Sequence, residues 1–150
     1  IIDDEVALQM RNVEKVEQLS DGIFIDTGSP HYVKLENHIN GIDVKSEGRK
    51  IRNSSKFKKE GVNVNFVECN ENTYVRTYER GVEDETLSCG TGVVATAIAL
   101  HYTNYLSEDI INIQTKGGDL SVSFDEYNGS YRNIWLTGRA DIIYIGEFSC

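Results

Sequence analysis

The chain has 150 residues, 39% of them hydrophobic and 26% charged, which are values of an ordinary globular domain and not of a disordered or fibrous chain. Its net charge of −9, with no basic stripe beyond Arg49, Lys50, Arg52, Lys56, Lys58 and Lys59, argues against a nucleic-acid partner. No apolar run reaches the ~20 residues that span a bilayer, and Ile1-Ile2-Asp3-Asp4-Glu5 is no secretory leader, so one soluble, cytoplasmic domain with no membrane partner is expected.

In chain order, residues 6–10 and 22–26 are expected strands, the second ending at the turn Thr27-Gly28-Ser29-Pro30, and 31–35 is the next strand. Residues 42–52 set Ile42, Val44 and Ile51 among charges, which predicts an amphipathic helix weakened by Gly48. In 62–67 apolar residues alternate with Asn63 and Asn65, and 73–78 alternates likewise across the turn 69–72, so the two predict a hairpin. Taken alone, that alternation reads as asparagines facing solvent. Residues 93–100 are apolar on nearly every face and predict a helix buried all round. A second hairpin follows, with strands at 110–115 and 120–124 about the turn 116–119, then Asn128-Gly129 and a strand at 134–136. Many short strands and one wholly buried helix imply an α+β fold, a curved, mostly antiparallel sheet or barrel wrapped around a central helix.

Three cysteines cannot all pair within the chain and fit no zinc spacing, so reduced thiols and no metal site are expected. Cys69 lies in a turn and Cys150 is the last residue, and both read as incidental. The first residue is Ile, not Met, so a longer parent chain is expected. Cys89 differs, because Cys89-Gly90-Thr91-Gly92 opens the buried helix. A thiol there faces unpaired N–H groups and the positive end of the helix dipole, which favour thiolate. Glycines at 90 and 92 would let a carboxylate approach the same N–H groups. Against this, most free cysteines are small buried residues, and the nearby Glu83, Asp84 and Glu85 oppose a lowered thiol pKa. Three chemical readings follow: an acid–base thiol, a non-catalytic carboxylate-binding module, and a nucleophile that forms a covalent acyl intermediate.

Tyr78-Glu79-Arg80-Gly81 followed by Glu85-Thr86-Leu87-Ser88-Cys89-Gly90-Thr91-Gly92 resembles the C-terminal catalytic motif of the diaminopimelate epimerase family. Asp26-Thr27-Gly28-Ser29-Pro30-His31 is similar to that family's Gly-Asn-Pro-His element, and Gly61-Val62-Asn63-Val64-Asn65-Phe66 to its Val-Asn strand. Trp135-Leu136-Thr137-Gly138 is similar to its last turn, so the resemblance runs from about 22 to 148 in the family's order.

The resemblance implies one of two pseudo-symmetric domains, with residues 1–150 as the C-terminal half and 139–150 supplying a strand to the other half. It implies cofactor-independent epimerisation of LL- to meso-diaminopimelate, a lysine and peptidoglycan precursor, by two cysteines on opposite faces of the substrate. By the same resemblance Cys89, Glu79 and His31 are catalytic, Glu79 acting on the Cys89 thiol and His31 on the cysteine of the missing half. Asn63, Arg80, Gly90, Thr91 and Ser29 would bind substrate, Arg80 through the forked donors that suit a carboxylate. The implied partners are diaminopimelate and the missing half, with a homodimer left open, and the chain alone would be inactive. Ser29 stands where the family has asparagine and Arg139 where it has proline, which leaves other amino acids such as proline or hydroxyproline open as substrates. His38 and His101 read as surface or helix-flank residues.

Overall fold

Alternating residues give the strands, and two short helices make the connections that strands running the same way require. The computed structural model describes residues 5–141 and 145–147. In order they form β1 (Glu5–Gln9), β2 (Val16–Gln18), β3 (Ile23–Asp26), β4 (Pro30–Leu35), α1 (Val44–Arg52), β5 (Asn63–Cys69) and β6 (Thr73–Glu79). Then come β7 (Asp84–Thr86), α2 (Gly90–Tyr102), β8 (Ile110–Thr115), β9 (Gly118–Tyr127) and β10 (Ser130–Arg139). The sheet runs β1-β10-β9-β8-β6-β5-β4-β3-β2, with β7 added beside β6. All neighbours are antiparallel except β4/β5 and β6/β8. Those parallel pairs need crossovers. The chain supplies α1 for the first and α2 for the second.

Helix α2 has no polar stripe, and every residue from Gly92 to Leu100 is buried. The sheet curls around it, and Val16, Ile25, Val33, Val67, Ile113, Val122 and Ile134 pack on the helix from strands β2 to β10. Hydrogen bonds from Met10 N to Ile134 O (2.8 Å) and Val13 N to Tyr131 O (2.9 Å) bring the segment after β1 onto β10 and complete the curl. A second cluster, with Tyr32, Val64, Phe66 and Tyr78, lies on the sheet's other face under Val44 of α1. The expected α+β architecture, a mostly antiparallel sheet around a buried helix, is therefore observed.

Several boundaries differ for local reasons. Helix α1 begins at Val44 and not 42, because the Asp43 carboxylate accepts from Ser46 N (3.1 Å) as the N-cap. Strands β2 and β7 were not expected. Each has three residues, too few to show a period, and each is held by its neighbour β3 or β6. β10 is longer than the expected 134–136, passing through an irregularity between Arg132 and Trp135 where Asn133 has φ 47°. Arg139 ends it, opposite Glu5 of β1; of the strand expected over 139–150, residues 140, 141 and 145–147 are not in a strand, and 142–144 and 148–150, Cys150 among them, lie outside the described residues. Among the described residues no helix is long and apolar enough to cross a membrane. Within the basic cluster, Lys50 pairs with Glu47, Arg52 with Glu83 and Lys56 with Glu17, a mixed-charge surface.

Gly48 does not merely weaken α1. A side chain at 48 would collide with the Cβ and ring of Tyr78, which is completely buried. Helix propensity alone predicts that Gly48→Ala gains about 1 kcal/mol. The collision reverses the sign, and urea unfolding should show a loss of about 1–3 kcal/mol.

Candidate active site

The inner face of the sheet is where the site residues meet. On β5, Val64 and Phe66 belong to the cluster under α1, so period-two alternation turns Asn63, Asn65 and Val67 toward α2. Asn63 and Asn65 are 3% and 0% exposed, which overturns the reading of them as a solvent face. Both sides of this strand are covered, so its polar residues are interior residues. His31 of β4 stands opposite Asn63 in the parallel register and is likewise fully buried.

The first turn of α2 lies against this polar patch. His31 Nδ1 is 2.8 Å from Asn65 Oδ1, and its Nε2 is 2.9 Å from the Thr91 hydroxyl. Thr91 Oγ1 is in turn 3.5 Å from Cys89 Sγ, and Thr27 donates to the Thr91 carbonyl (3.0 Å). Asn63 Nδ2 donates to Ser29 Oγ (2.7 Å) and to Pro30 O (3.2 Å), while its Oδ1 accepts from Arg80 N (2.8 Å). The Arg80 guanidinium donates to Glu60 O (2.8 Å). Glu79 closes β6 opposite Asp84. Thus Ser29, His31, Asn63, Arg80, Cys89 and Thr91 come together from β4, β5, the end of β6 and α2. Gly90 and Gly92 complete the helix entrance.

Cys89 is the N-cap of α2 and makes no side-chain capping bond. The segment leading to it is pinned. Arg76 clasps Glu85 (2.7 and 2.8 Å), Lys116 joins the same carboxylate (2.9 Å), and Gly117 N donates to Leu87 O (2.8 Å). Such bidentate pairing fixes orientation as well as charge.

The electrostatics correct the expectation of a favoured thiolate. Burial pushes the Cys89 thiol above its ordinary pKa and outweighs the opposing influence of the Thr91 hydroxyl and of the nearby backbone N–H groups of the first helical turn. The carboxylate that opposes ionisation is Glu79. Glu83, Asp84 and Glu85 are engaged by Tyr78, Lys45 and Arg76 respectively, which holds all three carboxyls below their usual range. Burial thus favours the protonated form of the Cys89 thiol.

Burial lowers the His31 pKa to about 4 against the bond from Asn65, with the Asp26 charge raising it and Arg80 lowering it. An unfolded histidine binds its proton near pH 6.5. Between those values the unfolded chain holds more protons, so stability is fully present above pH 6.5 and falls as the pH drops toward 4. The stake is about 3 kcal/mol. Urea unfolding across pH 4–7 should give a steeper pH slope for the chain than for His31→Gln.

Two polar residues of the cluster, Asn65 and Thr77, are absent from the motif-based set. Thr77 accepts from Asn65 Nδ2 at 3.0 Å. The alternation of 62–67 was the signal available for Asn65. Among the described residues no group of three or more His, Cys, Asp or Glu side chains is placed to hold a metal.

Solved structures share this fold, a sheet curled around a buried helix. Of solved structures, a probable proline racemase from Agrobacterium radiobacter superposes with a TM-score of 0.61 at 17% identity, covering 91% of this chain and 51% of that one. A hydroxyproline epimerase from Agrobacterium vitis gives 0.60 at 16%, over 91% and 50%. The chain belongs to the diaminopimelate epimerase family, whose model matches residues 23–143. Proteins named diaminopimelate epimerase from Flavobacterium psychrophilum and Aquifex aeolicus are 47% and 40% identical, over 94% and 85% of this chain. The chain spans about half the length of these relatives, 56% and 46% respectively.

Proposed function

We propose that this chain is the C-terminal half of a two-domain enzyme that interconverts LL- and meso-diaminopimelate without a cofactor. The observation that carries the reading is the placement of Cys89 at the N-cap of α2, against Thr91 and above the buried His31. The α-carboxylate docks on the N–H groups of Gly90 and Thr91, where backbone dipoles stabilise the negative charge that develops as the α-proton leaves. A thiolate from the other half removes that proton, and the Cys89 S–H delivers one to the opposite face. The C–H bond is remade with inverted configuration, and thiol and thiolate exchange places. The upward push of burial on the Cys89 thiol supports the donor role in this direction. Glu79 acts on that thiol, and Arg80 offers its guanidinium to the distal carboxylate. Asn63 frames the site by holding Ser29 and Arg80. His31 assists the second cysteine. Lysine biosynthesis in the cytoplasm is the setting, and free Cys69 and Cys89 thiols suit a reducing compartment.

Ser29 favours a second reading, in which the same chemistry acts on another small amino acid. Its side chain is bonded to Asn63 and is shorter than the asparagine the motif leads one to expect. The test uses the protein joined to its N-terminal half, with LL-diaminopimelate, L-proline and trans-4-hydroxy-L-proline supplied separately and the stereoisomers resolved by chiral chromatography. Inversion of diaminopimelate alone, unaffected by a chelator, is expected. Inversion of either proline substrate in preference would move the assignment to the second reading, and binding without inversion would favour the non-catalytic module.

A further inference from the structure

Arg80 projects from the tight turn between β6 and β7, and the peptide N–H groups on either side of its Cα are both taken by side chains. Its own N–H goes to Asn63 Oδ1 at 2.8 Å, and that of Gly81 goes to Glu83 Oε1 at 3.2 Å. Two flanking peptides held in this way fix the direction in which the Arg80 side chain leaves the turn. Farther out, its Nη1 donates to the Glu60 carbonyl at 2.8 Å.

Glu83 has no part in the mechanism above, yet its half-exposed carboxylate is more engaged than a surface residue requires. Its Oε2 accepts from the Tyr78 hydroxyl at 2.6 Å, and its Oε1 accepts from Arg52 Nε at 3.4 Å as well as from Gly81. Its backbone N–H closes the turn on the Glu79 carbonyl at 2.8 Å. The φ of Glu83 is 60°, a left-handed conformation uncommon for a side chain of this kind. Such a conformation persists where the surrounding contacts over-determine it. Tyr78 is completely buried under α1, so its hydroxyl is a fixed point for the carboxylate, and Arg52 belongs to the last turn of the same helix. The opposite side of Arg80 is as closely fitted. A side chain at Gly61 would fall 2.8 Å from Arg80 Cδ and 3.1 Å from Arg52 Cζ, so the two arginines flank one glycine. Glu83 engages the first of them, Arg52, and leaves the guanidinium of Arg80 to a ligand.

We infer that Glu83 is a positioning residue for the substrate's distal end, bracing the turn that carries Arg80 against the buried Tyr78 and against Arg52 of α1. The inference rests on the reading of Arg80 as the group that meets the distal carboxylate. Glu83 touches no substrate and acts through the direction in which Arg80 points.

Steady-state kinetics with LL-diaminopimelate on the protein joined to its N-terminal half test the brace. Glu83→Ala should raise KM about tenfold and change kcat by less than about threefold, the pattern of lost binding and not of lost chemistry. Glu83→Gly, which adopts a φ of 60° without strain, should show the same rise in KM, so a folding defect in the alanine variant does not remove the test. Glu83→Gln should bring KM back to within about twofold of the unaltered value, because its amide oxygen can accept from Gly81 N–H while its NH2 donates to the Tyr78 hydroxyl. In an Arg80→Ala background, Glu83→Ala should add less than about twofold, whereas a merely structural role would repeat the full effect. The full effect in that background, or an unchanged KM in Glu83→Gly, would overturn the inference and leave the epimerase proposal standing. An unchanged KM in Arg80→Ala would instead overturn the reading of Arg80, and the inference with it.

Discussion

Replacing Cys89 by Ala in the two-domain enzyme lowers kcat/KM for diaminopimelate inversion by about 10³-fold, the scale of losing a positioned acid or base. Stability should barely change. Cys89 makes no capping bond, so the alanine forfeits none, and a shift within about 0.5 kcal/mol is expected. This separates loss of chemistry from loss of fold. Cys89→Ser keeps the shape but offers a far weaker acid, so its activity should stay within about tenfold of the Ala variant's. Substrate binding, measured by calorimetry, should survive in both, because the carboxylate is held by N–H groups that neither change removes. Retained inversion in Cys89→Ala would show that the thiol is the inert helix-entry residue that free cysteines usually are. An acyl adduct on Cys89 by mass spectrometry would instead favour the nucleophile.

The second large effect is expected at Gly92. Its backbone is helical, so an alanine there meets no conformational objection and helix propensity favours it. The obstacle is contact. A Cβ at 92 would land on the Asn65 amide nitrogen and lie 3.3 Å from His31 Cε1, and both residues are completely buried. Neither can move without breaking the bond between them, which leaves a buried polar group unpaired. Gly92→Ala should therefore cost about 2–4 kcal/mol in urea unfolding and remove most activity. Gly90→Ala is the control. Its Cβ would meet only the tip of Leu136, 2.9 Å away on a half-buried side chain that can rotate, so stability should change by less than about 1 kcal/mol. Equal stability losses at 90 and 92 would contradict the tight seating of Asn65 under the helix.

These two glycines show how far the sequence alone could be read. The Cys89-Gly90-Thr91-Gly92 run and the apolar stretch after it place a thiol at the mouth of a buried helix, and the structure has it there. The alternation in 62–67 identifies a strand. It cannot say which face is wet, because that depends on α1 covering one side and α2 the other. Asn63 and Asn65 were accordingly legible as strand residues but not as the polar floor of the site. His31 beside Asn63 required the parallel pairing of β4 with β5, a contact between segments separated by the whole of α1. The sign of the Cys89 shift was missed for a similar reason. The carboxylates nearest in sequence are paired to Tyr78, Lys45 and Arg76, while burial of the thiol depends on tertiary packing.

The central claim is that these 150 residues carry one of two acid–base groups, and α-proton exchange tests it most directly. LL-diaminopimelate in deuterated water is incubated with the chain alone, with the N-terminal half alone, and with the two together, and deuterium at the α-carbon is followed by mass spectrometry. The account predicts no exchange and no inversion from either half, and both from the mixture, abolished by Cys89→Ala. Exchange and inversion at full rate by the isolated chain would contradict it.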